Sequence, residues 1–196
     1  RKGIYQQYQV SAQGGNERTR FYLSGNYRDE EGVLINNRFS RMSGTMTIDH
    51  NATDKLSFGS NITVARAVNN RVAGDNFLDG VYSGATRSLP YYSPYNDQGQ
   101  LYAPGDPNYP DFPNFNPVGE ALLPRQQVLT TKMLGGVYVA YQFLQNLRFQ
   151  SKASIDYNSI IENLYFPRST ATGGYSASLG QQGYGEYNTS LAATFT

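Results

Sequence analysis

Residues 39–66 read FSRMSGTMTIDHNATDKLSFGSNITVAR, two long arms in which apolar and polar side chains alternate. One face of the pattern carries the larger apolar residues of both arms, Met42, Met46, Ile48, Leu56, Phe58, Ile62 and Val64. A period of two is typical of a strand with one apolar and one polar face. Because the polar residues 51–54 separate the arms, the stretch predicts a single long β-hairpin.

The arms of this hairpin are long for a soluble protein. Each arm covers about 12 residues, against about 5–6 in an average strand. At ~3.3 Å per residue such a strand measures ~40 Å, and at a tilt of ~45° it stands ~28 Å tall. This height is close to the ~30 Å hydrocarbon thickness of a bilayer. The length therefore favours a transmembrane β-barrel over a soluble β-sandwich.

The same alternation recurs in five further segments, residues 4–13, 19–29, 130–143, 147–158 and from about 184 onward. Short connections at 14–18, 51–54 and 144–146 alternate with long ones at 30–38, 68–129 and 160–183. Short turns at one rim and long extracellular loops at the other are typical of outer-membrane barrels. The sequence thus predicts an all-β, antiparallel up-and-down transmembrane β-barrel segment of about seven strands. Since bacterial single-chain barrels have even strand numbers, we expect a larger barrel.

Composition narrows the function classes. The 196 residues carry a net charge of +1 without a basic run, which argues against a nucleic-acid partner. The chain contains no cysteine and therefore no disulfide framework or thiolate metal site. Tyr (17) and Gly (20) are abundant, which suits the aromatic girdles of barrels. The chain starts at Arg1 without a signal peptide, so for an exported protein we expect a processed or shortened piece.

Several short motifs occur in a distinctive order: SAQGGN at 11–16, FYLSGNY at 21–27, EGVL at 31–34, FSR at 39–41 and DKLSFG at 54–59, with a weaker YQFLQNL at 141–147. In order and spacing they resemble the SusC/RagA-like TonB-dependent outer-membrane transporters of Bacteroidetes. The resemblance covers most of residues 5–65.

The resemblance implies a 22-stranded barrel in the cell outer membrane, with an N-terminal plug and a TonB box through which TonB energises transport. It also implies a SusD-like surface lipoprotein that helps to capture oligosaccharides or peptides. Neither plug nor TonB box matches any residue here, so we expect 1–196 to be barrel just after the plug, with an extracellular loop at about 68–129. The implied protein is a nutrient importer, not an enzyme, and uses no cofactor.

A proline- and aromatic-rich stretch is the strongest candidate site. Seven of the nine prolines fall within 89–117, and since proline cannot donate to a strand ladder, we predict neither strand nor helix there. Aromatic rings with polar tips can stack on sugar or peptide faces. The candidate substrate-binding residues are Tyr91, Tyr92, Tyr95, Tyr102, Tyr109, Phe112 and Phe115. The alternative is that these rings pack on each other or on a lipoprotein partner.

Charged residues on the polar strand face form a second candidate set. If the apolar face meets lipid, the residues pointing into the lumen include Arg28, Arg41, Asp49, Lys152, Asp156 and Glu186. These side chains could line a transport path or hold the plug through ion pairs. The alternative is a hydrated lumen in which the charges balance one another.

Nothing in the sequence predicts catalysis or a metal site. His50 is the only histidine and adjoins the predicted turn at 51–54, where an exposed turn residue is expected. Two further function classes remain open: a secreted soluble all-β carbohydrate-binding module, and an outer-membrane barrel for adhesion or secretion.

Overall fold

The computed structural model describes residues 1–72, 80–103, 105–108, 116–170 and 183–195. These residues contain seven strands and two short helices: β1 (Ile4–Gly15), β2 (Thr19–Glu31), β3 (Arg38–Asn51), β4 (Leu56–Arg71), α1 (Val81–Arg87), α2 (Pro117–Leu122), β5 (Arg125–Leu144), β6 (Leu147–Tyr165) and β7 (Gly183–Phe195). Among the described residues, neither helix is long and apolar enough to cross a membrane.

The strands form one sheet in the order β1-β2-β3-β4-β5-β6-β7, and every neighbouring pair is antiparallel. The hairpin predicted at 39–66 is β3 paired with β4, in a register that places Met46 opposite Ile62. The predicted all-β, up-and-down seven-strand segment is therefore confirmed.

The register gives the sheet one apolar and one polar face. Cross-strand partners lie on the same side of a sheet, so the apolar positions of all strands fall together. Many of these side chains are exposed, among them Leu23 at 54%, Met42 at 67% and Phe149 at 62%. Soluble monomers rarely expose apolar surface on this scale, whereas a barrel wall presents it to lipid.

The apolar residues form a band that crosses the sheet diagonally. On β2 the band runs from Phe21 to Tyr27; on β6 it begins at Leu147, and Ile161 and Tyr165 continue it at the same parity. The register connects Phe21 to Ala153, six residues from Leu147, so the end of the band nearest the short turns shifts along the strands from β2 to β6. Such a stagger follows when the strands of a barrel tilt relative to its axis. Transmembrane barrels tilt their strands by ~35–45°.

Three strands extend five residues or more beyond their predicted ends toward the long connections. β4 ends at Arg71, β5 begins at Arg125 and β6 ends at Tyr165, so the long connection is 72–124 instead of 68–129. The added residues are paired in the ladder, as Asn70 is with Gln127. Because these segments carry polar residues at both parities, they lack the period-two signal on which the prediction depended.

The expectation of neither strand nor helix in 89–117 was wrong at its last residue. Pro117 is the first residue of α2, and Asn116 is its N-cap. Proline is favoured at this position because its missing N–H would have no partner inside the helix and its fixed φ suits the helix. The described parts of the long connection therefore include two short helices, α1 before the proline-rich stretch and α2 beginning at its last residue.

Candidate functional site

The aromatic segment, residues 88–103, folds as a small hairpin within the long connection. Tyr95 and Leu101 form an isolated antiparallel bridge, and the Tyr102 backbone N–H donates to Pro94 O at 3.2 Å. The turn is closed by Asn96, whose side-chain oxygen accepts from the backbone N–H groups of Gln98 (3.1 Å) and Gln100 (2.8 Å). This local network gives the tyrosines a defined backbone.

The candidate tyrosines differ in exposure. Tyr91, Tyr92 and Tyr95 expose 73%, 43% and 42% of their surface, whereas Tyr102 is half-buried. The rings of Tyr91 and Tyr92 lie 4.8 Å apart between centroids at an angle of 41°. These exposed rings are available to a ligand or a partner. Tyr109, Phe112 and Phe115 lie outside the described residues.

Asn116 connects the aromatic segment to α2, and the sequence-based candidates did not include it. Its Nδ2 donates to Pro94 O at 2.8 Å and to Tyr102 O at 3.4 Å. Its Oδ1 accepts from the backbone N–H groups of Val118 (3.1 Å) and Gly119 (3.3 Å). The side chain is buried, at 3% exposure. The Asn-Pro dipeptide at 116–117 is an N-cap signal that could have revealed this residue.

The other end of α2 is tied to the connection between β2 and β3. Asn36 Nδ2 donates to Ala121 O at 3.1 Å and Leu122 O at 3.4 Å. Asn36 has a φ of 61°, a left-handed conformation in which asparagine is enriched. These bonds place α2 at the rim where the long connections lie. Helix α1 contacts α2, and Val81 and Ala121 are buried at 5% and 2% exposure.

The residues expected in the lumen share the polar face of the sheet. Register places Arg28 opposite Arg41 and connects Asp49 with Lys152 in one cross-strand row. Asp156 follows the same parity on β6. The backbone of Glu186 pairs with Glu162, and its side chain lies outside the described residues. That this face meets the lumen stays a prediction.

Arg28 is held by neighbours on this face. Its guanidinium carbon lies 5.4 Å from the Tyr5 ring centroid and 5.7 Å from the Phe39 ring centroid, and it forms an ion pair with Glu30. A cation between two rings and beside a carboxylate is well compensated. These contacts favour a structural role for Arg28 over direct contact with cargo.

A hydrogen bond on the polar face spans three strands. The Tyr138 hydroxyl on β5 donates to Asp49 Oδ1 on β3 at 2.7 Å, and Gly59 on β4 lies between them in the register. A Cβ atom at Gly59 would stand 2.4 Å from Tyr138 Cε1 and 2.5 Å from Asp49 Oδ1. The glycine therefore leaves the space that the tyrosine ring occupies. This partner of Asp49 was not foreseen from the sequence.

His50 is a strand residue and not an exposed turn residue as expected. It lies in β3 and is half-buried. Its Nδ1 is 2.7 Å from Thr19 Oγ1, and its ring centroid is 5.1 Å from that of Phe58. The side chain thus ties β2, β3 and β4 together near the short turns.

Comparison with known proteins supports the resemblance seen in the motifs. No family model matches the chain. "TonB-dependent receptor P3" of Formosa agariphila is 26% identical over 150 residues, covering 73% of this chain and 14% of the relative. "TonB-dependent receptor P26" of the same organism is 24% identical over 156 residues, covering 80% of this chain and 15% of the relative. The chain thus spans a small part of the relatives that it matches.

Solved structures show the same fold. The RagAB peptide importer in its open-open state aligns with a TM-score of 0.69 at 18% identity, over 96% of this chain and 21% of the importer chain. Its closed-closed state aligns with a TM-score of 0.63 at 19% identity and the same coverage. The relatives are named as receptors and the structures as importers, and none of them is named as an enzyme. The predicted resemblance to SusC/RagA-like TonB-dependent transporters is confirmed for a segment of such a barrel.

Proposed function

We propose that this chain forms part of the barrel wall and the extracellular entrance of a SusC-like, TonB-dependent nutrient importer in the cell outer membrane. The observation that carries the proposal is the diagonal apolar band on a single-layer sheet. An exposed apolar band that crosses the sheet obliquely fits a lipid-facing wall of tilted strands, whereas a secreted sandwich would bury its apolar face against a second layer.

The two rims support an orientation for the segment. Short turns connect β1 to β2, β3 to β4 and β5 to β6, whereas the long connections lie at the opposite rim. In outer-membrane barrels the long loops are extracellular and the short turns periplasmic. This orientation places the aromatic segment at the outer entrance, where Tyr91 and Tyr92 can meet arriving cargo.

The remaining assignments belong to the same proposal. The polar face lines the lumen, and residues 1–196 contribute barrel while plug and TonB box are supplied by other parts of the protein. A SusD-like surface lipoprotein is the partner at the entrance, and TonB supplies energy from the periplasm. The cargo is a peptide or an oligosaccharide, and the name of the RagAB peptide importer makes peptides the first to test.

Location is tested by heat-modifiable gel migration of the full natural protein in outer-membrane fractions, detected with an antibody against residues 39–66. We expect a fast-migrating band that shifts on boiling, as for a closed barrel. A band that remains in the soluble fraction and ignores heating would contradict the proposal and favour a secreted binding module.

Transport is tested in a strain that lacks the protein. We expect the strain to lose uptake of a fluorescently labelled tryptic digest of casein and to regain it with the natural gene. A parallel arm with labelled starch oligosaccharides distinguishes the cargo classes. Normal uptake of both probes in the deletion strain would refute an importing role for these cargoes, and copurification of a lipoprotein would separate an importer from an adhesion barrel.

A further inference from the structure

The short helix α2 is held at both ends by asparagines that belong to different connections. Asn116 binds backbone N–H groups of its first turn, and Asn36 binds carbonyl groups of its last turn. These groups have no partner inside a helix. A helix of six residues is unstable alone, so its position depends on these outside contacts.

Asn116 also holds the aromatic segment. Its Nδ2 donates to Pro94 O and Tyr102 O, which flank the hairpin that contains Tyr95. Together with the two bonds that Oδ1 accepts, these contacts use both donors and the acceptor of one amide. A buried amide with this arrangement fixes the hairpin relative to α2 more firmly than solvent-exposed loop contacts could.

We propose that Asn116 and Asn36 are positioning residues for cargo capture at the barrel entrance. Asn116 fixes the aromatic segment to α2, and Asn36 fixes α2 to the β2–β3 connection and hence to the sheet. In this proposal neither asparagine contacts cargo. The exposed tyrosines contact cargo, and the two asparagine side chains fix the position of these tyrosines. The inference rests on the proposed importing function.

Conservative substitutions separate the roles of the individual atoms. Asn116→Asp keeps an oxygen that can cap α2 but removes the NH₂ group that holds Pro94 and Tyr102. Asn36→Gly keeps a residue that adopts φ near 61° without strain, but it removes the amide that reaches α2. Asn108→Ala is the matched control, because Asn108 is an exposed asparagine of the same connection.

Position is measured first, without any ligand. This chain contains no cysteine, so after replacement of any cysteine elsewhere in the natural protein, spin labels are attached at Gln98→Cys in the hairpin turn and at Arg71→Cys at the end of β4, both exposed. In the full natural protein we expect a narrow distance distribution that broadens in Asn116→Asp and Asn36→Gly but not in Asn108→Ala. A distribution that stays narrow in both variants overturns the inference.

Uptake of the labelled casein digest is measured in the same variants. We expect Asn116→Asp and Asn36→Gly to lose uptake to the level of Tyr91→Ala combined with Tyr92→Ala, with unchanged barrel migration on gels. Broadened distances with full uptake would overturn the positioning role in capture. If the natural protein itself imports no peptide, the proposed peptide cargo fails, and the label distances alone decide whether the two asparagines position the segment.

Discussion

The hairpin of β3 and β4 and the long connection at 72–124 are stabilised in different ways, the first by many weak contacts and the second by a few buried groups. The hairpin distributes its stability over a continuous ladder of cross-strand pairs, each worth a fraction of a kcal/mol to about 1 kcal/mol. The described parts of the connection depend on a few buried groups, among them Asn116 with its four hydrogen bonds. The sheet can therefore be predicted from a repeating sequence pattern, whereas the fold of the connection depends on single side chains.

The largest expected effect comes from placing a charge on the apolar face of the wall. Ile62→Arg should destabilise the barrel by about 2–4 kcal/mol, because an arginine near the membrane midplane loses its hydration. Asn61→Arg is the matched control on the polar face of the same strand and should have little effect. Urea unfolding from lipid vesicles measures both, and equal losses would show that the two faces are wrongly assigned.

A smaller but still large effect is expected at the glycine beneath Tyr138. Gly59→Ala introduces a Cβ within 2.4 Å of the Tyr138 ring, and relieving such overpacking typically costs about 1–3 kcal/mol. The variant should therefore unfold at a lower urea concentration in lipid vesicles. Gly25→Ala is the control, because a Cβ at Gly25 meets no atom within 4 Å. Equal unfolding midpoints of the two variants would argue against the packing of Tyr138 over β4.

The hydrogen bond itself should contribute less than the packing. Tyr138→Phe keeps the ring over Gly59 and removes the bond to Asp49, so we expect a loss of about 0.5–1.5 kcal/mol. Tyr141→Phe, on the apolar face of the same strand, should change stability less. Unfolding midpoints of both variants in lipid vesicles measure this difference. If Tyr138→Phe does not change the midpoint, the hydrogen bond contributes nothing, and the destabilisation by Gly59→Ala comes from the steric clash alone.

Changes in the aromatic segment should leave the wall unaltered. Tyr91→Ala and Tyr92→Ala remove exposed rings, so the stability of the barrel should stay the same. The affinity for peptide should fall about two- to tenfold for each ring removed, which is the range for a single aromatic contact. Titration of the outer-membrane protein with the labelled casein digest measures this. Unchanged affinity in both variants would favour the alternative in which the tyrosines serve packing or a protein partner.

The sequence predicted the strands best where one face is apolar. Around Met46 and Ile62 the alternation indicated both the strand and its apolar face. It failed beyond Val68 on β4, where the ladder continues to Arg71 with polar residues of both parities. Alternation reports a difference between two environments, so it vanishes where both faces meet similar surroundings.

The candidate site was only partly accessible from the sequence. Composition pointed to the exposed Tyr91 and Tyr92, and charge pointed to Asp49 on the polar face. The partners that organise them, Asn116 and Tyr138, were not predicted, although the Asn-Pro dipeptide at 116–117 carried a local signal. Their roles depend on which distant groups they meet, and composition contains no such information.

The amino-acid sequence by itself determined the strand order, the apolar face and the alternation of short and long connections, because each follows from the local spacing of residues along the chain. Only the tertiary structure decided which residues meet. Asn36 reaches α2 across 85 positions, and Tyr138 reaches Asp49 across 89. Such contacts are set by the register of whole strands and by the path of a loop, and these depend on the packing of the entire sheet.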